Sequence, residues 1–277
     1  MRRAESTAGR AFARLRERHD DVFVIVSPPR CSSTAVARLL WEHPSVRYYC
    51  HEPFEVTYYE GQGLDAVSRK LAEPLDLSGL TSRPPDPGGN ALVIKEMPYQ
   101  VGDRFALLAE LATRPLLFLI RDPRLSIASR IRKKREVGDD PVFPRIETGW
   151  ELLARQIAEA RRREIPHLIV DTGELRNAPE AVLPGVFAGL GLEYMPAILD
   201  WRACPEVELD NLEGRHRHLY RRVLESDGLQ PAVRRPPSIE SFPADGGWRG
   251  HVEECLAIYR DLSTARVAPE PTLSATT

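Results

Sequence analysis

The chain has 277 residues, enough for one large α/β domain or two small ones with a sizeable buried core. Its 38 basic and 40 acidic residues nearly cancel, which argues against a protein that holds nucleic acid through a large net positive charge. The four cysteines lack the spacing of a zinc site or a disulfide framework, so we expect reduced thiols, no metal and a cytoplasmic location. No run approaches the roughly eighteen apolar residues of a membrane span, so no membrane partner is expected.

Apolar strands and amphipathic helices alternate through the middle of the chain. The pattern predicts strands at 22–26, 47–50, 91–95, 115–120 and 167–170, and helices at 34–43, 101–113, 124–135, 147–164 and 179–190. Residues 55–80 give a weaker helical signal, and residues 81–90 form a loop by composition. This order predicts an α/β fold with a central parallel sheet flanked by helices.

The two ends of the chain are predicted to differ from this middle part. A helix over residues 2–19 leads into the first strand, and short helices are expected at 213–226 and 250–262. We expect a single domain over residues 1–263, whose part from about 204 to 263 is mobile. The tail at 264–277 is expected to be disordered.

The turn after the first strand is rich in hydroxyl groups and carries one arginine. It contains Arg30, Cys31, Ser32, Ser33 and Thr34, and a helix follows at once. Such a turn directs backbone N–H groups and the positive end of the helix at one point, where hydroxyl groups and a guanidinium add further donors. The segment therefore predicts a phosphate-binding site, although it also suits an ordinary strand-to-helix turn with a capping hydroxyl group.

Two further strands end in polar groups that belong at the same rim of the sheet. Strand 91–95 ends at Lys95, and strand 115–120 leads into Arg121 and, one short stretch later, Ser129. In open α/β sheets, ligands bind beyond the carboxyl ends of the strands. Three converging cationic groups indicate a ligand with more than one phosphate-like centre, and a nucleotide is the expected candidate.

These segments together resemble the cytosolic and bacterial sulfotransferases. Residues 29–34 are similar to the loop by which that family cradles the 5′-phosphosulfate of PAPS (3′-phosphoadenosine 5′-phosphosulfate). Arg121 and Ser129 look like its clamp for the 3′-phosphate. The resemblance implies a P-loop NTPase-like three-layer sandwich, PAPS as co-substrate, 3′,5′-ADP as product and no metal. Ser32 stands where the family usually has glycine, which puts close backbone approach to the phosphosulfate in doubt.

The same resemblance implies the catalytic residues and a late cofactor-binding loop. Lys95 looks like the strand lysine that the family places near the leaving oxygen, and Glu52 looks like the general base found after the phosphosulfate loop. We prefer Glu52 to His51 as the base, and both also suit structural roles. Trp248 and Arg249 resemble the late loop that closes over the cofactor, although packing of the terminal helix explains them equally well.

The expected function is transfer of a sulfuryl group from PAPS to a hydroxyl or amine of a small-molecule or natural-product acceptor. Two other classes stay open: a nucleotide-dependent small-molecule kinase, and a nucleotide-binding protein without catalytic activity. The kinase is disfavoured because the sequence has no Walker A motif. The basic run 132–135 suits either anion steering or a solvated helix face. The acceptor is undefined, and a homodimer is one of the oligomeric states left open.

Overall fold

The structure is a computed structural model that describes residues 12, 14–209, 212, 214–232 and 235–268. Its sheet contains β1 Val22–Val26, β2 Val46–His51, β3 Leu75–Asp76, β4 Ala91–Glu96, β5 Leu116–Ile120 and β6 His167–Asp171. The strand order is β3-β2-β4-β1-β5-β6. All neighbours are parallel except β3, which pairs antiparallel with β2.

The helices connect the strands across both faces of the sheet. They are α1 Ser33–Trp41, α2 Glu55–Tyr59, α3 Leu64–Ala72, α4 Pro98–Val101, α5 Phe105–Leu111, α6 Pro123–Glu136, α7 Trp150–Arg162, α8 Thr172–Asn177, α9 Pro179–Leu190, α10 Arg217–Leu224 and α11 Trp248–Ser263. No helix in the part of the chain that the structure describes is long and apolar enough to cross a membrane.

Alternate residues of β1, β4 and β5 enter two separate hydrophobic clusters, one on each face of the sheet. On β1, Val22, Val24 and Val26 belong to one cluster, whereas Phe23 and Ile25 belong to the other. Successive side chains of a strand point to opposite faces, so helices cover this sheet on both sides. The first cluster includes residues of α5, α7 and α11, and the second includes residues of α1 and α9. The three-layer α/β arrangement predicted from the sequence is confirmed.

Several boundaries differ from the prediction. Residues 55–80 form two short helices and the edge strand β3, and the helix expected at 101–113 is confined to Phe105–Leu111. Pro98 opens α4, which the sequence analysis did not predict, although proline is typical of a first helical position. Of the helix expected at 2–19, residues 12 and 14–18 are helical, and residues 1–11 and 13 lie outside the described residues.

The C-terminal part packs closely against the sheet. Val252 and Cys255 of α11 are fully buried in the core. Residues 264–268 differ from the expected disorder, because Val267 N–H donates to Ile169 O of β6 at 2.9 Å and Arg266 pairs with Glu174. Residues 269–277 lie outside the described residues.

Candidate functional site

The sheet brings the expected site residues to one edge. His51, the last residue of β2, lies beside Lys95 of β4, and Val26, the last residue of β1, lies beside Glu96. Since β2, β4, β1 and β5 are parallel neighbours, the segments that follow them leave the sheet at the same edge. The loop with Arg30, the turn with Glu52 and the start of α6 therefore converge.

The loop between β1 and α1 has the backbone of an anion-binding turn. Arg30 and Ser32 have φ values of 63° and 61°, in the left-handed region that favours glycine. Ser32 is the N-cap of α1 but makes no side-chain capping bond, and Ser33 and Thr34 begin the helix. The first N–H groups of a helix have no intrahelical partner and face an anion placed there.

Cys31 differs from its neighbours in this loop. Its side chain is fully buried in the core. Burial raises the pKa of the Cys31 thiol to about 12, so the group is neutral at physiological pH. A contribution of Cys31 to anion binding is therefore restricted to its backbone.

Four arginines meet around this loop, and we call them the arginine cluster: Arg30, Arg121, Arg132 and Arg176. Arg30 Nε donates to Ser129 Oγ at 3.3 Å, and Arg132 Nη2 donates to the same oxygen at 3.4 Å. Arg121 Nη1 donates to Arg30 O at 3.1 Å, and Arg176 Nη1 donates to Ser32 Oγ at 3.3 Å. The loop and the Arg121–Ser129 segment are thus direct neighbours.

Positive charges face one another in this cluster. Burial, and then the charges of Arg121 and Arg132, lower the pKa of Arg30 to about 10. Burial, and then Arg121 and Arg222, lower the pKa of Arg176 to about 10. The Nε of Arg121 is buried and has no hydrogen-bond partner among the described residues. An unused buried donor among mutually repelling cations fits an external polyanion.

Residues 214–232, which we call the covering segment, lie over this cluster. Arg30 Nη1 donates to Leu219 O. Arg176 donates from Nε to Gln230 O at 2.7 Å and from Nη2 to Pro231 O at 3.0 Å. The guanidinium groups of Arg30 and Arg176 thus donate to backbone carbonyls of the covering segment. An anion that binds Arg30 through the same N–H must displace Leu219 O.

The second half of the site is a buried group of paired charges, which we call the ion-pair group: Glu52, Lys95, His51 and Gln100. Lys95 Nζ contacts Glu52 Oε1, and Gln100 Nε2 donates to Glu52 Oε2 at 2.8 Å. Glu52 is 4% exposed and Lys95 only 1%. Glu52 has a φ of 47°, and its N–H donates to Lys95 O at 2.7 Å, so the turn itself is fixed to β4.

Two buried carboxyl groups, those of Glu52 and Glu96, interact here, and their pKa values are shifted in opposite directions. Burial opposes ionisation of Glu52, but the charges of Lys95 and His51 outweigh it and hold its pKa well below the usual range. Burial, and then the Glu52 charge, raise the pKa of Glu96 well above its usual range. Glu96 accepts the Phe54 and Met97 N–H groups, at 2.8 Å each, and thereby holds the backbone just after Glu52.

His51 lies between a tyrosine and Glu52. Its Nε2 is 3.2 Å from Glu52 Oε1, and its Nδ1 is 2.6 Å from the Tyr49 hydroxyl oxygen. Burial, and then the Glu52 charge, raise the pKa of Tyr49, so its hydroxyl stays protonated. Because an ionised carboxylate only accepts, His51 Nε2 carries a proton and donates it to Glu52, while Nδ1 shares a hydrogen bond with the Tyr49 hydroxyl.

Trp248 and Arg249 do not join the arginine cluster. Trp248 is buried at 4% exposure, and its ring centroid lies 4.9 Å from that of Phe143. Arg249 is exposed and donates to Phe242 O at 3.2 Å and Glu240 O at 3.0 Å. Trp248 therefore packs on the loop that follows α6, and the two hydrogen bonds of Arg249 are to the chain just before α11.

Sequence reasoning missed Gln100, Arg176 and the covering segment, and it left Arg132 undecided. The basic run 132–135 is divided by the helix: Arg132 donates to Ser129 and also pairs with Glu136 at 3.6 Å, whereas Lys133 and Lys134 pair only with Glu136 and Asp139 among the described residues. A signal existed for Arg132, since it lies three residues after Ser129 and so shares its helix face. No local pattern marks Arg176, because its partners are 144 and 54 residues away.

The sheet and this edge define an α/β protein with arginine side chains gathered where its parallel strands end. The family model described as "Sulfotransferase domain" matches residues 22–238. The chain belongs to this sulfotransferase family.

Solved structures agree with this assignment at the level of the fold. The mouse sulfotransferase SULT7A1 complexed with PAP has 12% identity, covering 92% of this chain and 93% of that one, with a TM-score of 0.52. The sulfotransferase domain from the Synechococcus PCC 7002 olefin synthase has 16% identity, covering 86% and 94%, with a TM-score of 0.51. Curated protein sequences give no significant match.

Proposed function

We propose that this protein is a PAPS-dependent sulfotransferase acting on a hydroxyl or amine of a small molecule, with Glu52 as general base. The single observation that carries the proposal is the arginine cluster with its unused buried donor, Arg121 Nε. The mouse relative of the same fold is complexed with PAP, the 3′,5′-ADP that remains when PAPS loses its sulfuryl group.

PAPS, the sulfuryl donor, binds at the edge of the sheet where the parallel strands end. The N–H groups at the start of α1 hold the 5′-phosphosulfate, together with the hydroxyl groups of Ser33 and Thr34. Arg121 and Ser129 hold the 3′-phosphate. Arg30 lies next to Ser129, and its guanidinium turns from Leu219 O to the donor. Bound phosphate groups relieve the repulsion within the cluster, which makes donor binding strongly favourable there.

The reaction moves a sulfuryl group between two oxygens, or from oxygen to nitrogen. A bond forms between the acceptor atom and sulfur, and the bond between sulfur and the 5′-phosphate oxygen breaks. The acceptor's proton passes to the Glu52 carboxylate, and the electron pair of the broken bond stays on 3′,5′-ADP. As in phosphoryl transfer, the protein's share is positioning and charge stabilisation.

Lys95 serves the leaving oxygen, and this role is tied to the activation of Glu52. In the free protein its ammonium neutralises Glu52 and keeps that carboxylate a weak base. When Lys95 turns to the leaving oxygen, Glu52 loses its cation in a buried place and its pKa rises. The base therefore strengthens as the donor is engaged.

The hydrogen bonds of His51 favour Glu52 as the base. His51 Nε2 donates toward Glu52, and Nδ1 is engaged with Tyr49. An imidazole with both nitrogens engaged has no free lone pair for an acceptor proton, whereas it orients the carboxylate that has one. His51 is thus a positioning residue in this scheme.

The acceptor belongs to the natural-product class in this proposal. One relative of the same fold is a domain of an olefin synthase, an enzyme named for building an organic product. Glu52 and Lys95 are almost fully buried, so an acceptor reaches them only when a neighbouring element moves. The covering segment is that element, because Tyr220 lies edge-on to His51 with the ring centroids 5.5 Å apart.

The test is transfer of sulfate from labelled PAPS to a panel of alcohols, phenols and amines by the wild type and Glu52→Gln. We expect Glu52→Gln to lower kcat by about 100-fold or more, while 3′,5′-ADP binds with unchanged affinity. Glu60→Gln is the matched control, since Glu60 is an exposed carboxylate at the end of α2, close to Glu52 in the sequence. Tighter binding of ATP–Mg²⁺ than of 3′,5′-ADP would overturn the donor assignment in favour of a kinase. Binding without transfer to any acceptor would indicate a silent protein.

A further inference from the structure

Away from this site, α7 and α11 begin side by side with metal-ligating groups between them. Glu151 lies in the first turn of α7, and His251 and Glu254 lie three residues apart on α11. Their ligand atoms are all within 4.8 Å of one another. Within the described residues, this is the one place where three such side chains meet.

The two ring nitrogens of His251 have different neighbours. Nε2 lies 2.9 Å from Thr148 Oγ1 and 3.5 Å from Cys255 Sγ. Nδ1 lies 3.9 Å from Glu151 Oε1 and 3.7 Å from Glu254 Oε2. When Nε2 carries the proton and donates it to Thr148, Nδ1 presents its lone pair to the two carboxylates.

One imidazole nitrogen and two carboxylates therefore face one another between α7 and α11. The His251 side chain is 2% exposed, and the two carboxylate side chains are 63% and 68% exposed. Two negative charges and a buried imidazole nitrogen converge at one place, and this arrangement suits a cation.

We propose that Glu151, His251 and Glu254 bind a divalent transition-metal ion of the zinc class, independently of the sulfuryl-transfer site. One imidazole and two carboxylates suit such an ion, and the exposed side leaves room for water ligands. Zinc bonds of about 2.0 to 2.2 Å in a tetrahedron place ligand atoms about 3.4 Å apart. The two distances from His251 Nδ1 exceed this by only a few tenths of an ångström. All three ligand atoms lie within 4.8 Å of one another, so the exposed carboxylates close on the ion by side-chain rotation.

The surroundings fit a metal-bound histidine. A hydrogen bond from the second ring nitrogen, here to Thr148, is the usual way in which such a ligand is oriented. Cys255 is 3.5 Å from the same Nε2 and not from Nδ1, so it is not one of the proposed ligands. The ion joins the starts of two helices. Gly149, just before α7, packs on Pro28 and Pro29 of the anion-binding loop.

The experiment titrates tag-free, chelator-stripped protein with Zn²⁺ by calorimetry and records the unfolding temperature with and without the ion. We expect one equivalent to bind and the unfolding temperature to rise on binding. Glu151→Gln and Glu254→Gln should each weaken binding about tenfold or more, and the double variant should lose the rise. Both residues are exposed, so these variants are expected to fold.

Glu253→Gln is the matched control, because Glu253 is an exposed neighbour on α11 outside the group. It should bind Zn²⁺ like the wild type, and 3′,5′-ADP affinity should be unchanged in every variant. His251→Asn adds a check on the imidazole ligand, with its fold verified by circular dichroism. Absence of saturable Zn²⁺ binding, or equal binding by the double variant and the wild type, would overturn the proposal.

Discussion

The two halves of the candidate site, the arginine cluster and the ion-pair group, differ in how their charges are arranged. In the arginine cluster, cations face cations, and the guanidinium groups contact hydroxyl groups and backbone carbonyls. In the ion-pair group, the Glu52 carboxylate is neutralised by Lys95 and oriented by His51 and Gln100. In the proposed function the first half binds an external anion, whereas the charges of Glu52 and Lys95 in the second half are paired with each other.

This difference separates binding from reactivity. A bound anion stabilises a cluster of like positive charges. The residues of the arginine cluster are therefore expected to govern the affinity for PAPS more than the stability of the fold. A buried ion pair stabilises the fold only while both partners are present. Its residues are therefore expected to govern stability and turnover together.

The largest expected effect follows from breaking the ion pair. Lys95→Met leaves the Glu52 carboxylate buried without its cation, so we expect the free energy of unfolding at pH 7 to fall by about 3 kcal/mol. Chemical denaturation measures this change. The double variant Lys95→Met with Glu52→Gln should recover most of the loss, because the uncompensated charge is then absent. A single variant as stable as the wild type would contradict the comparison.

The arginine cluster should behave in the opposite way. Arg30→Met removes one of several repelling cations but keeps an apolar side chain, so we expect the free energy of unfolding to change by about 1 kcal/mol or less. Loss of a charge-assisted hydrogen bond should weaken 3′,5′-ADP binding about 100-fold in calorimetry.

The control for Arg30→Met is Arg135→Met, which removes the same charge from the exposed end of α6. Salt screens charges beyond about 10 Å, so this control should change 3′,5′-ADP affinity little at ordinary ionic strength. Equal losses in the two variants would mean that net charge, rather than the cluster, governs binding.

The pH dependence of stability sharpens the comparison within the ion-pair group. The pKa of Glu96 is raised in the folded protein, so between about pH 4.5 and that raised value the folded state binds more protons than the unfolded state. The contribution of Glu96 to the free energy of unfolding therefore declines as pH rises through this range. Glu96→Gln should remove a slope of up to about 1.4 kcal/mol per pH unit.

Denaturation of Glu96→Gln and the wild type over a pH series measures this slope. Glu52 has the opposite sign: its lowered pKa contributes stability above its ordinary value near 4.5, and this is lost as pH falls through the folded pKa. An unchanged slope at higher pH in Glu96→Gln would show that Glu96 is ionised in the folded protein.

The sequence predicted the parts of the site that lie at strand ends. Arg30, Lys95 and Arg121 each follow a run of apolar residues, and parallel strands bring such positions to one edge. The antiparallel strand β3 was missed because two residues give no periodic pattern. Contacts such as Arg30 with Leu219 span 189 positions and depend on tertiary packing, which local patterns do not encode.

The backbone conformation of Ser32 shows a further limit of prediction from the sequence. The resemblance placed Ser32 where the family usually has glycine, and the φ of 61° agrees with that backbone requirement. The Oγ of Ser32 accepts a hydrogen bond from Arg176, and no pattern near Ser32 in the sequence predicts this partner. The expectation of no metal rested on cysteine spacing, whereas the proposed zinc ligands are carboxylates and an imidazole from two distant helices.

The smallest expected effect tests the boundary of the arginine cluster. Arg249 is an arginine like Arg30, but it is exposed and bound to two carbonyls of the preceding turn. Arg249→Ala should therefore change 3′,5′-ADP affinity by less than about threefold, which is below 1 kcal/mol. A tenfold loss would mean that α11 turns Arg249 into the site on donor binding, as the family resemblance implies. The same titration with Arg30→Met provides the scale, because both variants remove one guanidinium and differ in which groups that guanidinium faces.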